Sequence, residues 1–145
     1  MIAALPHITF ERGVLLGFSA AMLMFVLAIV LYIFRRKRPK LNHRFFEQKW
    51  RDIQSMLIDM NGAKMAIIEA DNLLDEALKQ LHMSGTTTGE RLVAAQRLLS
   101  NNDAVWTAHK LRNRLVHEAD VHIKKTQIKD ALLGFRRALK DLGAL

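Results

Sequence analysis

Residues 106–118 read Trp106-Thr-Ala-His-Lys-Leu-Arg-Asn-Arg-Leu-Val-His-Glu118, and their reading decides the fold. The apolar residues Ala104, Ala108, Leu111 and Leu115 recur at steps of four, three and four. At about 100° per residue they draw one stripe along a helix, the face that a helical bundle buries. The opposite face carries Trp106, His109, Asn113 and His117, the last three at successive steps of four. A bulky aromatic and two imidazoles turned away from a core point to an interface or a site.

The other segments follow the same period. From Asn42, a plausible N-cap, Phe46, Trp50, Ile53, Leu57 and Met60 repeat at four, three, four and three. That seam suits packing on the domain or pairing with a second copy. Asn61-Gly62 breaks it, and a helix from about Ala63 to Leu81 follows. Its core stripe includes Ala63, Ile67, Ala70, Leu74 and Ala77. Asp71 sits at the border of that stripe, about 60° from Leu74. It is either a solvated border residue or the partner of a basic residue on the Arg112 helix. Thr87 with Glu90 three later is a capping box opening a short helix through Leu99. Asp103 or Asn102 caps the central helix, which runs to about Asp120. Thr126 caps the last, whose Ile128, Leu132, Phe135, Leu139 and Leu142 repeat at four, three, four and three. Gly143 ends it. No segment alternates with a period of two, so the expected class is all-α, an antiparallel bundle of about five helices over 42–145.

The chain has 145 residues, 50% of them hydrophobic. Much of that excess lies in Gly13–Phe34, 22 residues without a charge. As a helix they rise roughly 33 Å, against about 30 Å of hydrocarbon. Positive charge follows the run rather than preceding it, unlike a signal peptide. The segment is expected to be a single transmembrane helix behind an extracytoplasmic leader at 1–12. Arg35, Arg36, Lys37, Arg38 and Lys40, within a hinge over 35–41, then place the N-terminus outside and the domain in the cytoplasm, at the cell membrane. The same cluster would hold anionic lipid head groups. Its competing reading is a nucleic-acid or nuclear-targeting patch.

The net charge of +8 is concentrated there. Arg12 and those five residues take six of the 22 Lys/Arg, and Glu11 takes one of the 14 acids. That leaves 16 against 13 from Leu41 onward, too mild for tight binding to RNA through phosphate neutralisation. No cysteine is present, which excludes disulfides, thiolate metal sites and a cysteine nucleophile. Gly85-x-x-x-Gly89 is not a phosphate loop, because no Lys-Ser/Thr follows the second glycine and no strand precedes the first. No H-E-x-x-H or nucleophile-elbow pattern appears. His109 and His117 lack a third ligand beyond Glu118 or Asp120, so neither a metal nor a cofactor is expected.

Arg112-Asn113-x-x-x-His117, in an all-helical frame and before the last helix, resembles the signature of the HEPN superfamily of small helical domains. The resemblance covers about 42–145, including the loop Gly85-Thr-Thr-Thr-Gly-Glu-Arg-Leu92. In segment order the chain also resembles membrane-anchored proteins of reduced-genome bacteria. Many HEPN members are metal-independent RNases; others serve as partners or adaptors. Carried over, His117 would be the general acid or base. Arg112 would hold the scissile phosphate, and Asn113 would position phosphate or His117. Within one straight helix Arg112 and His117 lie about 140° and 7.5 Å apart. The resemblance implies that a homodimer joins the two motif helices, with Trp106, His109, Asn113 and His117 at the interface. The structural alternative has Arg112 pairing with Asp71 or Glu118. Two functions follow: a dimeric binding or scaffold module at the cytoplasmic face with a protein partner, or an RNase acting on RNA through Arg112 and His117.

Overall fold

The computed structural model describes residues 21–29 and 39–145. The chain divides into two compact units, Met1–Arg38 and Pro39–Leu145. In the first, residues 21–29 are helical, with Met22, Leu23, Met24 and Phe25 exposed. Among the described residues no helix is long and apolar enough to cross a membrane. This overturns the transmembrane part of the expected fold class, and with it the single-pass topology and the membrane location. Residues 13–20 and 30–34 of the expected span lie outside the described residues. So do the leader at 1–12 and Arg35, Arg36, Lys37 and Arg38 of the basic cluster.

The second unit is a bundle of five helices: α1 (His43–Ser55), α2 (Met60–Gln80), α3 (Thr88–Ala95), α4 (Asn102–His117) and α5 (Lys125–Asp141). All its regular structure is helical. The 21-residue α2 is the hub and packs against each of the other four. Ala63, Ala66, Ile67, Ala70, Leu73, Leu74, Ala77 and Leu78 are all buried and form one broad face of about 140°. The buried Asp71 and Asp75 widen that face to about 200°. Phe46 from α1, Leu92 from α3, Val105 from α4 and Phe135 from α5 close around it.

Helix starts carry local side-chain caps. Asn42 accepts from Phe45 N, Asp59 from Gly62 N and Asn101 from Ala104 N. Thr87 and Glu90 form a complete capping box. These contacts satisfy backbone donors that a helix start leaves open. Two starts differ from the expected caps. Asn101 precedes the expected Asn102 or Asp103. Lys124, not Thr126, stands at the last N-cap, where Gln127 Oε1 accepts from its backbone N–H at 2.9 Å. At the other end Gly143 has φ +75°, and the next residue's amide donates back to the Leu139 carbonyl. That is the left-handed helix stop glycine favours.

The largest boundary difference lies between α1 and α2. The heptad-like seam predicts one helix through Met60, but α1 ends at Ser55 and Asp59 starts α2. Asn61-Gly62 falls inside the first turn of α2. Phe46, Trp50 and Ile53 are buried, whereas Leu57 and Met60, in phase with them, are exposed.

The most extensive helix pair is α4 with α5. Gly134 permits their approach: a β-carbon there would lie 2.9 Å from the Ala104 carbonyl oxygen. The obstacle is backbone and cannot rotate away. Gly134→Ala is therefore expected to lower stability by about 1–3 kcal/mol through overpacking, although alanine is the better helix former. Urea unfolding checks this, and a variant as stable as the parent would mean that the two helices separate freely.

Candidate functional site

The side chains that the motif helix brings together face α2. Asp71 lies on the core side of α2 and is only 1% exposed. An isolated carboxylate at that depth is strongly unfavourable, so it requires donors. Two residues of α4, one turn apart, supply them. His109 Nδ1 lies 2.7 Å from Asp71 Oδ1, and Arg112 Nε lies 3.3 Å from Oδ2. The Arg112 contact is an ion pair rather than an aligned hydrogen bond, since its buried Nε lacks a hydrogen-bond partner.

Asn113 closes the set. Its Oδ1 accepts from Arg112 Nη1 at 3.2 Å, and its Nδ2 lies 3.3 Å from His109 Nε2. Asp71, His109, Asn113 and Arg112 thus form a closed polar ring. Donors and acceptors alternate correctly around it for one assignment. A neutral His109 carries its proton on Nδ1, facing the carboxylate, and accepts from Asn113 at Nε2. Both imidazole nitrogens are then engaged, and His109 is 7% exposed. Trp106 packs edge-on against the ring of His109, with centroids 5.9 Å apart. Gly89, at the start of α3, lies over the same pair: a β-carbon there would sit 3.6 Å from Trp106 and 3.9 Å from His109 Nε2.

The polar stripe of α4 is therefore split. Trp106, His109 and Asn113 are turned toward α2 and α3, while His117, the last helical residue, is exposed. Arg112, at 25% side-chain exposure, is held inward by Asp71. Glu118 pairs with Arg114, not Arg112, at 3.3 Å. Of the expected site residues, the fold joins Asp71, His109, Arg112 and Asn113 and leaves His117 apart. Lys40 is described but belongs to none of these contacts.

One turn further along α2 a second buried pair repeats the arrangement. Arg91 of α3 donates to Asp75 through Nε at 2.8 Å and Nη2 at 3.2 Å, and through Nη1 to the Gly85 carbonyl at 2.8 Å. Lys79 reaches the same carboxylate at 2.7 Å. Asp75 and Arg91 were not singled out from sequence. The signal was available: Asp75 is one turn from Asp71, on the same face. Burial pushes the Asp75 carboxyl up, but hydrogen bonds from Arg91, Lys79 and Thr88, with the Arg91 charge, outweigh it and hold it below its ordinary value. Glu90 is lowered as well, by the Thr86 and Thr87 donors of the capping loop. Together these contacts fix the 85–91 loop against α2.

No protein-family model, curated protein or solved structure matches the chain.

Two expectations follow. Asp71→Ala leaves the Arg112 guanidinium and the His109 Nδ1–H without their acceptor. It should cost about 3 kcal/mol or more, whereas His117→Ala should stay within about 0.5 kcal/mol; denaturant midpoints compare them directly. For Asp75 the folded carboxyl titrates below the unfolded one. Its stabilisation is present above about pH 4 and is lost as pH falls through the folded value. Asp75→Asn should weaken the protein at pH 7 and flatten its acid sensitivity below about pH 4, read as urea midpoint against pH.

Proposed function

We propose that the chain is a HEPN-like helical module that acts by binding, as a homodimer through the motif helix, rather than by cleaving RNA. The observation that carries this reading is the engagement of Arg112. A phosphate-binding guanidinium must present its donors to an incoming anion. Here Asp71 pairs with Arg112 from inside the bundle, and Asn113 Oδ1 accepts a hydrogen bond from its Nη1. The residue that would position a substrate in a nuclease instead holds Arg112 and His109 in a structural ring. His117 lies five residues on and outside that ring, and among the described residues no carboxylate pairs with its imidazole.

Dimerisation rests on what α4 leaves uncovered. Val116 and His117 are exposed at its C-terminal end, and Trp106 is half-buried. The domain's mild positive charge suits a protein partner better than an RNA held by its phosphates. The nuclease alternative would need a second chain to bring His117 to Arg112 and Arg112 to release Asp71.

The test uses the full chain with RNA in EDTA, beside His117→Ala, and light scattering for mass. The expected result is a dimer without cleavage, shifted toward monomer by Val116→Glu. EDTA-resistant cleavage that leaves cyclic-phosphate ends and is lost in His117→Ala would overturn the binding reading in favour of the nuclease. A monomer unaffected by Val116→Glu would remove the dimer.

A further inference from the structure

Lined by no residue of α4, an open groove of about 740 Å³ runs between α1, the 56–59 turn and α5. Trp50, Ala63, Ile128 and Leu132 give it an apolar lining. Leu57, Ile58, Met60 and Leu133 stand at its lips, all exposed, Ile58 at 90%. Single exposed aliphatics are ordinary, but four around one apolar concavity mark a recognition surface. The fold itself explains why they are uncovered. Leu57 and Met60 continue the seam of Phe46, Trp50 and Ile53, yet α1 stops at Ser55, so the seam outlasts the helix that buries it.

The charge of the groove is predominantly positive. Lys125, Lys129 and Arg136 line its α5 side. None of the three is in an ion pair among the described residues. The one carboxylate in the lining, Asp59, is turned to its own helix, where it accepts from Gly62 N at 2.7 Å. Trp50 adds a buried indole N–H with no acceptor. The α5 wall from Lys125 to Arg136 is about 16 Å long, room for three turns of a helix.

We propose that this groove docks an amphipathic helix of a partner protein whose flank is acidic. Apolar side chains at i, i+3 or i+4, and i+7 of that helix enter between the Leu57–Met60 lip and the Leu132–Leu133 wall, the usual mode of helix-in-groove recognition. Its Asp or Glu residues meet Lys125, Lys129 and Arg136. A nucleic acid would satisfy the three cations but leave the apolar lining wet. The surface is separate from α4, so it adds to the binding reading without depending on the motif helix.

The probe is a pair of fluorescein-labelled helical peptides of about four turns, with identical leucine faces and either glutamate or lysine flanks. Fluorescence anisotropy with the full chain reads affinity. The Glu-flanked peptide is expected to bind and the Lys-flanked one to bind at least about tenfold more weakly. Ile58→Asp, a change at a fully solvated side chain, should lower Glu-peptide affinity by about tenfold or more. Lys125→Glu with Lys129→Glu should reverse the preference between the peptides. Failure of both peptides to bind, equal binding of both, or an unchanged preference in the double variant would overturn the proposal. So would displacement of the bound peptide by an unstructured oligouridylate, which would assign the surface to RNA. Loss of self-association in Ile58→Asp with no peptide binding by the parent would assign it to a second copy of this chain.

Discussion

A carboxylate buried midway along the hub helix sets the terms for the rest of the bundle. Asp71 sits among alanine and leucine side chains on α2, where water cannot reach it. Its charge is tolerable only if donors arrive from a neighbouring helix at fixed positions. His109 and Arg112, three residues apart on α4, do this only when α4 lies at one rotation and one axial register against α2. Apolar contacts alone would tolerate slippage between two helices lined by alanine and leucine. The polar ring penalises it, because any shift leaves a buried charge without its partner. Asp75 and Arg91 do the same for α3. The two buried aspartates of α2 thus fix the positions of α4 and α3 against it.

That arrangement also decides what the polar chemistry of α4 is free to do. Arg, Asn and His within six residues resemble a phosphate-handling set when read as a line of letters. In three dimensions the guanidinium and the amide point into the ring and the second imidazole points out. The same residue types that build a site build a clasp when a buried acid faces them. The distinction lies in Asp71, which is 41 residues upstream of Arg112 and invisible to any local motif.

Much of the helical frame was legible because helices write a 3.6-residue period into the sequence. The stripes on α2 and α5 match buried faces, and the Thr87–Glu90 box and Gly143 mark real termini. The α4 stripe matches only in part, with Ala104 and Leu115 half-buried and Val105 and His109 buried beside it. Where the boundary between α1 and α2 is misread, the competing interaction is short-ranged. Leu57 and Met60 keep the period beyond Ser55, but the Asp59 cap restarts the helix and outweighs the seam. The transmembrane expectation rested on hydropathy and on the basic block that follows the run, but among the described residues no helix is long and apolar enough to cross a membrane. The polar face of α4 looked solvent-facing because a period identifies the apolar side and says nothing about a partner for the other. Only the border position of Asp71 hinted that α2 would meet it with a charge.

The tautomer of His109 tests the clasp most directly. Long-range ¹⁵N correlation spectra at about pH 8, where an ordinary imidazole is neutral, distinguish a proton on Nδ1 from one on Nε2. The ring requires Nδ1–H against Asp71 and a lone pair on Nε2 toward Asn113, with the pattern changing in Asp71→Asn. His117, exposed, should show the solution mixture dominated by Nε2–H. If His109 showed that same mixture, indifferent to Asp71, the ring would not exist in solution. Arg112 would then be available for the phosphate chemistry that this account denies it.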